Sequence, residues 1–211
     1  MTVVAAATCL AAAALRVVVA MRGDRPDVRR IVVQMTAVIA LTPFLDIAAG
    51  GVPGRFQSEL VRVPAILILI PPFVSQSGAL GGILASRLSS KIQLGLVRPS
   101  TWPDAIAWVD AAIVSVLALV TFLLVGTGAT LLAELTTRAH PGVGEMIGGT
   151  ALAGLMLLPL ILLVSYGIAV ATTRFRLDPD DQSVPVITSC MDLAGMLAVL
   201  LAMTAIGVLP A

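Results

Sequence analysis

The chain has 211 residues, of which 58% are hydrophobic and 12% charged, and its mean hydropathy is +1.04. These polar residues are too few to cover a water-soluble globule of this size, so the composition excludes a soluble domain and predicts an integral membrane protein. The formal net charge of +1 carries no information about nucleic acid, and no nucleic-acid partner is expected. In a membrane chain the position of each charge carries more information than the sum.

Cysteine and histidine are too sparse to form a transition-metal site. Cys9 and Cys190 both lie in apolar runs and indicate neither a disulfide framework nor a metal cluster. The one histidine, His140, is followed by Pro141 and Gly142. Any ion that this chain handles is therefore expected to be a hard cation with oxygen ligands.

Residues 1–30 form an apolar and then basic N-terminal segment ahead of the main apolar runs. Its apolar stretch, residues 1–21, is rich in alanine and carries Arg16. The interpretations left open are a sixth membrane span, a helix on the membrane surface and a signal-like apolar region. The signal peptide is less favoured, because the charged cluster follows the apolar stretch and no obvious cleavage site is present.

Five later apolar runs are long enough to cross a hydrocarbon layer about 30 Å thick. They predict an all-α, polytopic membrane helix bundle of five core helices with short connections, occupying residues 31–211. The predicted spans are residues 31–51, 60–84, 105–132, 147–172 and 184–209.

Basic residues set the predicted orientation of this bundle. If the N-terminal cluster is cytoplasmic, nine Lys and Arg residues lie on that side and three on the other. This bias predicts a multi-pass cell-membrane protein with its C-terminus outside. The cytoplasmic set is Arg22, Arg25, Arg29, Arg30, Arg87, Lys91, Arg98, Arg174 and Arg176, and the outer set is Arg55, Arg62 and Arg138.

The second predicted span contains helix breakers at membrane depth. Pro71 and Pro72, followed by glycines, predict an interrupted helix whose freed carbonyls face protein or a water-filled path. Small residues also recur from Pro71 at helical spacing. This stripe is compatible both with close helix packing and with a pore surface. Its members are Ser75, Gly78, Gly82, Ser86 and Ser89.

The last predicted span carries Asp192, nine residues after Ser183. At ~1.5 Å per residue the carboxylate lies roughly 14 Å into the membrane, near its midplane. An ionised Asp at that depth costs about 2.5–3.5 kcal/mol on insertion scales. It is therefore expected to face protein, a partner charge or water.

Residues one turn from Asp192 favour a cation site. The hydroxyls of Thr188 and Ser189 can contact a water held by the carboxylate, and Gly195 is expected to leave space beside it. Mg²⁺, which keeps much of its hydration shell, suits such a wet oxygen site better than Ca²⁺ does. The alternative is a structural Asp paired with a cation or a hydroxyl, although no Lys or Arg lies at comparable depth.

Other acidic residues give weaker indications. Asp46 and Asp110 lie nearer the ends of their spans, where interfacial or structural roles are favoured. Asp178 and Asp181 belong to an acidic loop, residues 177–185, ahead of the Asp192 helix. This loop either caps that helix, with Asp181 or Ser183 as the cap and Pro185 in the first turn, or collects cations at its cytoplasmic mouth.

These segments resemble the membrane domain of the MgtE magnesium channels and related solute-carrier magnesium transporters. Residues 72–95 resemble the glycine-containing second helix of the family, most closely in the sequence LASRLSS at residues 84–90. Residues 178–181, then Pro185, Thr188 and Asp192, resemble the pattern leading into its fifth helix. The Leu45-Asp46 pair resembles one in its first helix. The resemblance covers about residues 31–209, essentially one whole membrane domain.

The resemblance implies a dimer of five-helix units with the ion path between the subunits, lined by the second and fifth helices. It also implies that each subunit presents Asp192 to a hydrated Mg²⁺. The family's Gly-Asn pair is Gly78-Ala79 here, so one polar pore group is missing. Only residues 1–30 precede the bundle, so gating through amino-terminal cytosolic domains is not expected.

Taken together, the sequence predicts a non-enzymatic transporter of divalent cations, with Mg²⁺ as the ion both bound and carried. The predicted partner is a second copy of the domain, giving a homodimer, or a related half-domain subunit. The predicted metal-binding residues are Asp192, with Thr188, Ser189 and Ser75 as secondary contacts and Gly78 allowing close approach; Asp46, Asp178 and Asp181 are weaker candidates.

Two other functions stay open at this point. A cation exchanger coupled to H⁺ or Na⁺ would use the same carboxylate in a different mechanism. A non-transporting membrane subunit would use the small-residue stripes only to bind partner helices. The motifs of intramembrane metalloenzymes and serine hydrolases do not occur in the sequence.

Overall fold

The computed structural model describes residues 26–175 and 179–210, and throughout this part of the chain the regular structure is helical. Thr42–Ala211 forms one compact unit, which contains the bundle. The predicted N-terminal span or surface helix, residues 1–21, lies outside the described residues. The α-helices are α1 (Pro26–Gly51), α2 (Gln57–Arg62), α3 (Pro64–Gln93), α4 (Ala105–Leu135), α5 (Val143–Arg174) and α6 (Pro179–Ala205), with a 3-10 helix at Pro53–Phe56.

Four helices of the described chain are long and apolar enough to cross a membrane. They are α3, α4, α5 and the Ser183–Ala205 part of α6. Each overlaps one of the predicted spans, which confirms the all-helical class and indicates a multi-pass membrane protein. The remaining predicted span, residues 31–51, falls within α1, and its passage through the membrane stays a prediction.

The core lies around α3, which packs against α4, α5 and α6. Phe73 of α3 stacks on Phe122 of α4 with ring centroids 4.6 Å apart, and both side chains are fully buried. Gly154 of α5 provides room for this pair, because a Cβ there would lie 2.2 Å from the Phe122 ring. Aromatic stacking and a missing side chain thus bring three helices together at one level.

The prediction that Pro71 and Pro72 interrupt their helix is wrong, because α3 continues through both. Both prolines are exposed on the outer face of the helix, where their rings displace no core side chain.

The start of α3 also differs from the prediction, because the helix begins at Pro64 and not at residue 60. Val63, which precedes Pro64, has φ −125° and ψ 73° and so lies outside the α region, which proline disfavours for the residue before it.

At its other end α3 extends well beyond the predicted limit, residue 84. Leu84, Leu88 and Ile92 stay buried at helical spacing. Asp110 of α4 is fully buried and accepts hydrogen bonds from Arg87 (2.7 Å to Nη2) and Lys91 (2.6 Å to Nζ). Of the roles predicted for Asp110, the structure supports the structural one. Its carboxylate ties the end of α3 to α4.

The acidic loop predicted at residues 177–185 is wrong in its extent, because α6 already begins at Pro179. Pro179 has the preset φ that suits a first turn, so Pro185 lies inside the helix. Ser183 does not act as the predicted cap. It is buried within α6, and its Oγ has no hydrogen-bond partner.

Most hydroxyls within the described membrane helices bond back to their own helix. Thr130 donates to the Gly126 carbonyl (2.8 Å) and Thr150 to the Met146 carbonyl (2.6 Å), each one turn earlier. Ser165 is different, because it donates across helices to the carbonyl of Gly81 at 2.9 Å. A bond from a hydroxyl to its own helix, as in Thr130 and Thr150, satisfies a polar group at membrane depth without a partner helix.

Candidate ion-binding site

Asp192 lies on a half-buried face of α6. Pro185 and Thr188, at helical spacing before it, are also half-buried, whereas Gly195 and Val199 after it are buried. The carboxylate therefore sits where α6 changes from an accessible surface to the packed core. No described side chain donates a hydrogen bond to Asp192 or forms an ion pair with it. This argues against a structural Asp held by a cation.

Contacts between α3 and α6 fix the level of Asp192 along α3. A Cβ on Gly195 would lie 3.3 Å from Val74, and one on Gly78 would lie 3.2 Å from Thr188. The two helices are thus antiparallel, and Asp192 lies between these contact points. The expectation that Gly195 leaves free space beside the carboxylate is wrong, because Val74 occupies that space.

The two contacts bracket a short polar segment of α3. Ser75 and Gln76 are both exposed within it, while Ser77 is buried and donates to the Phe73 carbonyl at 2.8 Å. Gln76 was not among the predicted site residues. A polar amide inside an apolar run is the signal that identifies it, and its carbonyl oxygen is a ligand type that hard cations accept.

The stripe of small residues serves two purposes. Gly78 is buried against Thr188, which fits the packing interpretation. Ser75 and Ser86 are exposed, and an added Cβ on Gly82 would meet nothing within 4 Å, so these positions leave an open surface. Ser89 is buried, and its Oγ lacks a hydrogen-bond partner.

The predicted hydroxyl ligands differ in accessibility. Thr188 donates to the carbonyls of Val184 (2.9 Å) and Pro185 (3.1 Å), which leaves its oxygen lone pairs available to a water or an ion. Ser189 is buried, with only 4% of its surface exposed. Of the two, Thr188 is the one that shares the accessible face of Asp192.

Asp46, near the end of α1, is exposed and lies within electrostatic range of Asp192. Two carboxylates that repel each other in this way form a favourable environment for a cation. Asp178 lies outside the described residues, and the side chain of Asp181 is not described. Within the described part of the chain, no group of three or more His, Cys, Asp or Glu residues could hold a metal ion.

Comparison with known proteins gives a family match. The sequence model of the MgtE family, described as a divalent cation transporter, matches residues 70–202. This range includes most of α3, all of α4 and α5, and α6 through Ala202, and therefore Ser75, Gly78, Thr188 and Asp192. No curated protein and no solved structure gives a significant match.

Proposed function

The chain belongs to the MgtE family of divalent cation transporters, and on this premise we propose that it carries hydrated Mg²⁺ across the membrane with Asp192 as the ion-binding carboxylate. The observation that carries this proposal is that Asp192 is half-buried and has no cationic partner among the described residues. Its spacing from the start of the span is what predicts a position near the bilayer midplane. A transported cation supplies the compensating charge. Family membership also agrees with a transporter and not an enzyme.

The chemistry of the neighbouring groups supports a hydrated ion. Mg²⁺ prefers octahedral oxygen coordination and commonly keeps several waters, so it needs few direct protein ligands. Asp192 would hold the hydrated ion through its carboxylate. Thr188, Ser75 and Gln76 offer accessible oxygen atoms at the same level for hydrogen bonds to the ion's water shell. Ser189 is a weaker candidate because it is buried.

A path between two copies of the chain is the second part of the proposal. Ser75 is exposed and Asp192 and Thr188 are half-buried, so part of this surface is accessible within the unit Thr42–Ala211. A polar surface at membrane depth is unfavourable against lipid, so a second copy would cover it and enclose the path. Charge balance alone does not require that copy, because Asp46 already brings the carboxylates near the path to two per chain.

The orientation belongs to the same proposal. The excess of Lys and Arg on one side supports a cytoplasmic basic side and an outer C-terminus. The inner end of α3, with Arg87 and Lys91, then faces the cytoplasm. The ion would enter from the outer ends of α3 and α6 and leave past this inner end.

Mg²⁺ uptake into liposomes tests the proposal directly. Purified wild-type protein and Asp192→Ala are compared at matched protein content under an imposed membrane potential, with Glu134→Ala, an exposed acid of α4, as the control. We expect uptake by wild type and the control, and at least a tenfold loss in Asp192→Ala, because the ion loses its charged ligand at membrane depth.

Uptake that is unchanged in Asp192→Ala would remove this residue from the mechanism. Uptake that requires an opposing H⁺ or Na⁺ gradient would replace a channel with a coupled exchanger at the same site. If wild-type protein carries no Mg²⁺ alone or with a related half-domain subunit, the proposed transport function is wrong.

A further inference from the structure

An apolar cavity of about 510 Å³ lies on the far side of α3 from the Ser75 surface, between α3, α4 and α5. This volume is within the 300–1,000 Å³ range of small-molecule pockets. Its floor is formed by the buried side chains of Leu84 and Leu88 of α3. None of the residues proposed for ion binding lines it, so the cavity requires a separate explanation.

Small residues create the cavity. Ala107 and Ala111 of α4 face Pro159 and Gly167 of α5 across it, and an added Cβ on Gly167 would meet nothing within 4 Å. Larger side chains at these positions would bring the walls into contact. The cavity is therefore a consequence of the sequence itself and is present without any movement of the helices.

A loop closes one end of the cavity. Thr101, Trp102 and Pro103 line it from the connection between α3 and α4. The Tyr166 hydroxyl of α5 lies 3.0 Å from the carbonyl oxygen of Ser100 and 3.2 Å from that of Trp102, so it can donate to either. These contacts fasten the loop over the ends of α4 and α5 and give the cavity one polar end.

The position of the cavity is that of a membrane interface. Trp102 and Trp108, which both line it, are 81% and 58% exposed. Exposed tryptophans are enriched where hydrocarbon meets headgroups. Leu84 and Leu88 lie in the same helical turns as Arg87 and Lys91. These two basic residues mark the boundary between the hydrocarbon and the headgroups. The apolar part of the cavity therefore opens toward lipid chains, and its closed end lies near the headgroups.

We propose that this cavity binds one acyl chain of an anionic phospholipid from the adjacent leaflet. Hydrocarbon is the medium that surrounds the opening, and an acyl chain matches the apolar walls. The negative headgroup is favoured by Arg98, Arg87 and Lys91. Arg98 lies beside the cavity because its backbone N–H donates to the Asp104 carboxylate (3.0 Å), one turn before Ala107. Its guanidinium is exposed and forms no ion pair with a described residue.

The acidic residues in this region do not cancel the attraction. Asp110 is buried and already accepts bonds from Arg87 and Lys91, and the carboxylate of Asp104 accepts the backbone N–H of Arg98. The formal charges of Arg87, Lys91, Arg98, Asp104 and Asp110 sum to +1. Basic residues at a membrane surface attract anionic lipids through such an excess. This proposal does not depend on which ion the protein carries.

Tryptophan fluorescence provides the test, because the chain has two tryptophans and both line the cavity. Full-length protein in detergent micelles is titrated with phosphatidylglycerol that carries bromine atoms midway along its acyl chains. Bromine quenches a neighbouring indole. We expect quenching that saturates at a low lipid-to-detergent ratio, as for binding at a site.

Gly167→Leu fills the cavity and is expected to raise the half-saturating lipid fraction at least fivefold. Gly148→Leu is the matched control, since Gly148 is an exposed glycine of the same helix with nothing within 4 Å of an added Cβ, and it should leave the titration unchanged. Ala111→Leu fills the cavity from α4 and replaces Gly167→Leu if that variant fails to fold. Quenching that rises linearly, or that neither filling variant weakens, would overturn the proposal.

The headgroup preference is tested with phosphatidylcholine carrying the same brominated chains. We expect at least fivefold weaker binding of this lipid to wild type, and a much smaller difference in Arg98→Gln. Arg138→Gln, an exposed arginine outside the cavity lining, should keep the wild-type preference. Equal binding of the two lipids to wild type would exclude the anionic headgroup.

Discussion

Three glycines of α3, Gly78, Gly81 and Gly82, occupy very different environments within one and a half turns. An added Cβ would lie 2.6 Å from Ile187 at Gly81 and 3.2 Å from Thr188 at Gly78, but would meet nothing within 4 Å at Gly82. Gly81 also presents its carbonyl to the Ser165 hydroxyl. The first two permit close approach of α6, whereas Gly82 belongs to the open surface.

Alanine substitutions should separate these two roles. Gly81→Ala is expected to destabilise the protein by about 1–2 kcal/mol, because the fully buried, β-branched Ile187 must move and overpacking outweighs the gain in helix propensity. Gly82→Ala is the matched control, expected to be neutral or stabilising by up to about 1 kcal/mol. Thermal unfolding in detergent measures both. Equal midpoints for the two variants would contradict the packing role of Gly81.

The same residue scale shows what a sequence can reveal about the site. Asp192 is identifiable because a carboxylate inside an apolar run has a known cost wherever the helix packs. The proximity of Asp46 is not identifiable, because the two residues are far apart in sequence and come within electrostatic range only through tertiary structure. The placement of Ser189 in the core likewise depends on which face of α6 its neighbours cover.

At the scale of elements, the limits of α3 were the least predictable feature. Spans in α4 and α5 were predicted within a few residues, since hydropathy alone marks them. The inner part of α3 carries Arg87 and Lys91, so hydropathy alone predicts that the span ends at residue 84. The helix continues because Leu88 and Ile92 remain buried and because a carboxylate on α4 binds both cations. The hydropathy pattern of α3 cannot show this carboxylate, because it belongs to another helix.

This carboxylate should matter for stability. Asp110→Asn removes the negative charge while keeping the volume, and we expect destabilisation by about 1–3 kcal/mol. This is less than the ~3–5 kcal/mol typical of breaking a fully buried pair, because the side chains of Arg87 and Lys91 are 46% and 26% exposed and remain hydrated. Thermal unfolding in detergent gives the measurement.

Glu134→Gln is the control for Asp110→Asn, since it removes an exposed acid from the other end of the same helix. Its unfolding midpoint should match that of wild type. If Asp110→Asn unfolds at the same temperature as Glu134→Gln, the contacts of Asp110 with α3 do not stabilise the bundle.

At the scale of the whole molecule, the unit Thr42–Ala211 has an accessible polar surface on which Ser75 is exposed and Asp192 is half-buried. The buried core lies between α3, α4, α5 and α6. A second copy placed against this surface would bring the two Ser75 residues close to one another across the proposed path. Lipid-facing positions on α4 would remain far apart in the same arrangement.

Cross-linking in native membranes tests that arrangement. In a background with Cys9→Ser and Cys190→Ser, Ser75→Cys is expected to form covalent dimers with a short bifunctional thiol reagent. Val116→Cys, on the 65% exposed side chain of Val116 in α4, is the control and should remain monomeric. Dimers that form equally in both variants, or in neither, would contradict a path between two copies at this surface.

The hydroxyls that bond back to their own helices have a consequence for biogenesis. A segment leaving the translocon must satisfy its polar groups before its neighbours arrive, and the hydroxyls of Thr130 and Thr150 can do so at once. By contrast, Asp110 and Ser165 find their partners on α3. The Asp110 carboxylate and the Ser165 hydroxyl therefore reach these partners only when α4 and α5 dock against α3, which is synthesised before both.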